Sequence, residues 1–203
     1  SLLRTSAQRL LKDRAMPVEL RLDLLLTLSR ITRDLDMLEP ADAMLDERIA
    51  VLQRLPQRAA DLVRARIDRY WAEVRVRDMD AAEATARTAL AEARTLRGPE
   101  GRRLEATLLS ILARQLAEGS SFIRGRDVLE QAVTLLQRID PDGEDLIDAQ
   151  VLQAQFRIRH GEVDPGLELL ADAVRRFESR PDASLVNLDF FRSLDILVVA
   201  EKT

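Results

Sequence analysis

Cysteine is absent, and aromatic residues make up only 3% of the 203 residues. Without thiols the chain forms no disulfide and no thiolate metal site, which suits a reducing compartment, and we expect a cytoplasmic protein. Scarce aromatics leave the core to Leu, Ala, Val and Ile, a composition that favours helix-on-helix packing over a β-sandwich. No apolar run approaches the roughly 20 residues of a membrane span, and no secretory signal opens the sequence. No membrane contact is therefore expected. Charge of one sign is lacking too: the net charge is −4 on a mixture of 31 basic and 35 acidic residues. A nucleic-acid binder would concentrate a basic field on one face, so no nucleic-acid partner is expected. Lysine stands only at Lys12 and Lys202, and Arg carries the rest of the positive charge.

Against these absences stand 46% hydrophobic and 33% charged residues, the mixture of a chain that folds in water. Its length suits one or two compact domains or one elongated repeat array. Proline occurs seven times, at Pro17, Pro40, Pro56, Pro99, Pro141, Pro165 and Pro181. A proline fits the first turn of a helix and breaks the interior, so each marks a boundary. Between them the apolar period is 3.6, with no strand pattern. The expected helices are 2–14, 17–35, 40–54, 58–77, 80–97, 99–118, 122–139, 143–160, 164–179 and 182–200. Short connections make neighbouring helices antiparallel. The chain begins on Ser1 without Met and ends on Glu201-Lys202-Thr203, so a piece of something longer is expected.

The stretch "HGEVDPGLELLADAVRRF" (160–177) breaks a helix at Gly161 and restarts it at Asp164-Pro165. Leu167, Leu170, Val174 and Phe177 then run down one face. Related turn-and-helix segments occur at 33–49, 73–90 and 116–133. Aligning the small residue early in each second helix gives Ala41, Ala82, Gly125 and Gly166, separated by 41, 43 and 41 residues. Small residues are needed there because the two helices of a pair cross closely. This unit resembles the tetratricopeptide repeat (TPR), with "GEVDPGLELLADAV" the best match and likeness over 17–179. The period exceeds the family's 34 residues and suits its longer-helix variants. The small residue late in the first helix is Ser29, Ala113 or Ala154, but Tyr70 or Trp71 in the second copy. The late alanine of the second helix is Ala89, Ala132 and Ala173, but Arg48 in the first copy. The resemblance implies an all-α, right-handed superhelical solenoid of antiparallel helix pairs. Its repeats are 17–55, 58–97, 99–139 and 143–179, and helices 2–14 and 182–200 are additional. Residues 1–35 are also similar to the entry into C-terminal TPR regions of bacterial serine/threonine kinases and transcription regulators.

Chemistry-bearing motifs are sparse. His160, the only histidine, ends a helix, where a cation is favoured by the dipole. The stretch "DPDGED" (140–145) lacks the glycine and glutamate places of a calcium loop. "GPEG" (98–101) and "GSSFIRG" (119–125) lack the phosphate-binding pattern and are expected to be loops. No catalytic residue, metal site or cofactor is expected. Arginines crowd the ends of first helices: Arg30 and Arg33, Arg69, Arg75, Arg114 and Arg157. In the TPR family first helices line the concave groove. The resemblance therefore implies that these residues, with Asp34 and Trp71, bind a protein or peptide segment bearing a carboxylate. The competing reading is a solvated face whose cations pair with acids a turn away. Tyr70 and Trp71 are either core aromatics or groove anchors. A non-catalytic interaction module of a bacterial signalling protein is the expectation. A sensor of a small peptide or metabolite, and an α-solenoid enzyme, stand as alternatives. The segment 185–200 is apolar on every side. Phe190, Leu194, Leu197 and Val198 are expected to form a homodimer interface unless further chain covers them.

Overall fold

The computed structural model describes residues 2–118 and 122–179, and the expected helix 182–200 with its interface residues lies outside them. Among the described residues the elements are α1 (Leu2–Lys12), α2 (Val18–Asp34), α3 (Leu38–Leu52), α4 (Ala59–Arg75) and α5 (Met79–Ala93), then α6 (Pro99–Glu118), α7 (Phe122–Ile139), α8 (Glu144–Arg159) and α9 (Val163–Glu178). A short 3₁₀ turn, Pro56–Arg58, precedes α4. Prolines sit as their chemistry requires. Pro99 opens α6, while Pro40 and Pro165 fall in the first turns of α3 and α9, where no helical N–H is lost. The largest departure is at α5, which ends at Ala93, four residues before the expected 97. There Thr95 and Leu96 donate to carbonyls only three residues back, so the chain tightens out of the α-helix. Gly101 and Gly125 lie inside α6 and α7, so 99–101 and 122–125, expected as loop, are helix.

Three turns share one construction. Asp36, Arg77 and Gly161 have φ of 55°, 61° and 85°. In each turn the next residue donates back five places: Met37 to Thr32 O, Asp78 to Glu73 O, Glu162 to Arg157 O, at 2.8, 3.0 and 3.0 Å. These are Schellman closures, which satisfy the last carbonyls of a helix. Only Gly161 meets the left-handed conformation without steric cost, which is why the other two turns look unlike it in sequence. Five residues beyond each turn stand Ala41, Ala82 and Gly166, all buried.

The turns define a common register. Seven residues before them lie Ser29, Tyr70 and Ala154, so Tyr70 occupies the small-residue place and is 3% exposed. In the following helix a small residue stands at a place that is large in the other pairs. Ala86 stands where Leu45 and Leu170 stand in α3 and α9, nine residues after the turn.

The chain forms two compact units, residues 1–104 and 105–203, divided inside α6. In the first, α1 packs on α2 and α3, α2 on α3, α3 on α4, and α4 on α5. One core cluster joins Ala7 and Leu10 of α1 to Leu25 and Met44. Another joins Leu22, Leu45 and Leu52 to Ala65 and Ala72 of α4. In the second unit α7 packs on α8 and α8 on α9. There Ile147, Val151 and Ala154 meet Leu170, Ala173 and Phe177.

Candidate functional site

Six residues before each turn the register places Arg30, Trp71 and Gln155. In the first unit, Arg30 is exposed and makes no hydrogen bond or ion pair with the described residues. Trp71 is 47% exposed, with its ring edge-on to buried Tyr70 at a centroid distance of 4.9 Å. The two aromatics thus divide the roles left open by the sequence: Tyr70 is core and Trp71 is surface. Arg75 Nη1 donates to the Arg33 carbonyl at 3.2 Å and lies 3.9 Å from Asp36 Oδ1. That contact ties the C-terminal ends of α2 and α4 together and places a cation where the α2 dipole favours one. The Arg33 side chain is half-buried, and its Nε has no partner. Asp34 is exposed one turn beyond Arg30. Arg30, Arg33, Asp34, Trp71 and Arg75 are therefore presented by the last turns of two consecutive first helices.

Beneath them lies Arg48 of α3, which occupies the column filled elsewhere by Ala89, Ala132 and Ala173. It is 6% exposed, with one ion-pair contact to Asp68 of α4 at 3.4 Å and a buried Nε that has no partner. Burial lowers its pKa; Asp68 and Asp61 oppose that shift, while Arg30 and Arg58 add to it. Arg48 thus lies in the field of Arg30, and Asp68 is one turn before Trp71. The break at 48 in the alanine column was visible in the sequence, but its place beneath this face was not.

Removing one partner of an ion pair strands the other's charge, at a cost set by how far water can reach it; the Asp68 side chain is 24% exposed and can be hydrated, whereas Arg48 is buried. Arg48→Met is accordingly expected to hold or raise stability by about 1 kcal/mol, and Asp68→Ala to lower it by about 2–3 kcal/mol. Urea unfolding of both variants checks the order; a larger loss for Arg48→Met would reverse the assignment.

Arg69 does not join this face. It lies eight residues before its turn and points toward α3. Its Nε donates to Glu73 Oε1 at 2.9 Å, and Nη1 sits 3.0 Å from Asp46 Oδ1, too misaligned for a hydrogen bond. Burial would lower its pKa, but the Glu73 hydrogen bond and the pull of Asp46 leave it raised. Arg69 is a packing cation between α3 and α4.

In the second unit Arg114 belongs to α6 and is not without a partner. Arg157 lies in the last turn of α8 and lines a cavity of about 120 Å³ with Phe122, Phe156, His160, Glu130 and Glu162. The His160 ring lies against Phe122 at a centroid separation of 3.6 Å, tilted by 46°. The Arg157 side chain makes no hydrogen bond or ion pair with the described residues. This space is below the roughly 300–1,000 Å³ of ordinary small-molecule sites. Among the described residues no group of three or more His, Asp or Glu could hold a metal ion, and no helix is long and apolar enough to cross a membrane.

BtubC (BKLC) from P. vanneervenii superposes with a TM-score of 0.76 at 17% identity, over 98% of this chain and 78% of its own. Its fold, like that of the next, is built from helices that pair and repeat as these do. Kinesin-light-chain-type, nearly identical TPR-like repeats from Podospora anserina superpose with a TM-score of 0.54 at 16% identity, over 86% and 92%. The fold is TPR-like. No family model matches the chain, and no curated protein matches it. Identity this low establishes the all-α TPR-like fold and nothing of what either neighbour binds.

Proposed function

We propose that this TPR-like chain is a protein-interaction module that holds an extended segment of a partner across the last turns of α2 and α4. The observation that carries this reading is Trp71, a large ring left 47% exposed at the place that Arg30 occupies one repeat earlier. Aromatic and arginine side chains supply most of the binding energy at protein interfaces. Arg30 and Arg33 have no partner among the described residues, so a carboxylate on the bound segment gains charge-assisted hydrogen bonds without breaking any present now. Arg157, whose side chain has no partner among the described residues, offers the same preference in the second unit. A role in bacterial signalling belongs to the same proposal and rests on the likeness of residues 1–35 alone.

A displayed library of random peptides, selected on the full chain, tests the reading. Retained peptides are expected to be enriched in Asp, Glu or a free C-terminus. Trp71→Ala and Arg30→Glu should each lower their retention at least tenfold, the scale of an interface anchor, with helicity unchanged. Failure to retain any peptide above background, or equal retention by both variants, rejects it.

A further inference from the structure

A cavity of about 250 Å³ lies at the other end of α2, between its first turn, the loop that follows α1, and the last turns of α3. Met16, Val18, Val51 and Leu55 give it an apolar wall. Three arginines, Arg14, Arg21 and Arg54, and one acid, Glu47, supply its charged groups. Arg21 is 6% exposed, at a place where packing alone selects leucine. Fifteen residues before each turn the other pairs carry Leu62 and Leu146. A buried guanidinium in that column is costly unless its donors are used. Here only Nη2 is used, donating to Glu47 Oε1 at 2.8 Å and to the Leu11 carbonyl at 3.3 Å. Nε is buried without a partner, and Nη1 makes no hydrogen bond with the described residues.

The other two cations are free as well. Arg14 and Arg54 are exposed, and neither side chain makes a hydrogen bond or ion pair with the described residues. Eighteen residues after the turns, where Arg54 stands, the other pairs have Thr95 and Ser179. Their hydroxyls donate to carbonyls three residues back, at 2.7 and 2.8 Å, a local bond that Arg54 does not make. Glu47 is the one acid on the lining and is already paired with Arg21, so two positive charges remain uncompensated. Acids nearby are engaged elsewhere: Asp13 accepts the Ala15 N–H, and Glu19 pairs with Arg58. α2 opens on the cavity at Val18, behind Pro17 and with no side-chain cap, so its positive end adds to the field. The negative end of α3 is closed by its own turn. Gln53, Arg54 and Leu55 donate there to Ile49, Val51 and Leu52 at 2.9, 3.1 and 2.9 Å.

We propose that this cavity binds a small organic carboxylate, with its carboxyl group held by Arg14, Arg21 and Arg54 and its hydrocarbon body packed on the apolar wall. A carboxylate matches the flat fork of a guanidinium with two oxygens, and it gives Arg21 an acceptor where Glu47 leaves it with none. The hydrocarbon body follows from the wall, which a bare inorganic anion would leave in contact with water. The volume approaches the roughly 300 Å³ at which ordinary small-molecule sites begin. Arg21 precedes Arg30 by nine residues, about 14 Å along α2. The site is therefore separate from the α2–α4 face, and neither requires the other.

An NMR titration of the full chain with hexanoate, read on isotope-labelled methionine methyl groups, tests the proposal. Of the four methionines, Met16 lines the cavity and Met79 lies away from it in α5. Hexanoate is expected to shift the Met16 signal saturably and to leave Met79 in place. Hexylammonium has the same body with the opposite charge, and inorganic phosphate has the charge without the body; neither should saturate the signal. Arg14→Glu with Arg54→Glu alters only exposed positions and should weaken hexanoate binding at least tenfold. Arg21→Leu carries the residue of the other pairs and should keep the helicity of the parent while abolishing saturation. Arg30→Glu should leave hexanoate binding unchanged. A Met16 signal that hexanoate does not saturate overturns the proposal, as does equal binding of hexylammonium or phosphate. Binding that survives the changes at Arg14, Arg21 and Arg54 means that Arg21 and Glu47 form a structural ion pair only. Binding lost in Arg30→Glu places the probe on the α2–α4 face. Either result overturns it too.

Discussion

Leu45→Ala and Leu170→Ala are each expected to cost about 2–5 kcal/mol. Both side chains are fully buried, and both lie nine residues after a left-handed turn, one in α3 and one in α9. Leu170 is enclosed by Ile147, Val151, Ala154, Ala173 and Phe177, so its removal leaves a space that backbone on two helices must move to fill. Leu45 packs with Leu22, Leu52, Ala65 and Ala72, across three helices. Urea unfolding should show a lower midpoint at constant slope, the mark of lost stability without a change in exposed surface. A cost below about 1 kcal/mol at either residue would mean that it does not sit at a shared core position.

Gly166→Leu is expected to be strongly destabilising. A Cβ at Gly166 would stand 2.5 Å from Ile158 Cγ1, 3.0 Å from Ala154 O and 3.1 Å from Ile158 N. Two of those atoms are backbone, so relief requires α8 and α9 to separate. Alanine favours a helix over glycine by about 1 kcal/mol, yet even Gly166→Ala is expected to destabilise because the clash arises at Cβ. For leucine the overpacking should cost roughly 3 kcal/mol or more. At this chain length that lowers Tm by roughly 2–4 °C per kcal/mol. Ala82→Leu, at 0% exposure in α5, should lose stability in the same direction. Melting curves of the two variants decide the matter, and unchanged Tm values would remove the close helix crossings from the account.

The helices were legible in the sequence because proline, spacing and a 3.6-residue period agreed. Pro99 opens α6 where expected, and Gly161 marks the turn into α9. The register of the second pair was not legible. Its turn residue is Arg77, which takes a φ of 61° without being glycine, so nothing in the residue type announces the turn. Once it is placed, Tyr70 falls in the core column and Trp71 on the face, one residue and about 100° apart around the helix. The same geometry separates Arg69 from Trp71 by two residues, which turns Arg69 toward α3 and its acids. Crowding of arginines at helix ends therefore did not tell which of them face solvent and which, like Arg69, pack between helices. Arg48 escaped for a different reason. A long side chain reaches across its own layer, so its charge appears beneath α2 and α4 although its backbone belongs to α3.

Trp71 is the only tryptophan in the chain, so its emission reports directly on whether the α2–α4 face is the binding face. The decisive measurement is a fluorescence titration of the full chain with a retained acidic peptide, repeated at raised salt. Binding at this face predicts a saturable blue shift as the half-exposed ring loses water. The midpoint should move to higher peptide concentration in Arg30→Glu and with added salt, which screens exposed charges, and stay unchanged in Leu20→Asp. Saturable peptide binding that leaves the Trp71 emission unaltered would contradict the central claim.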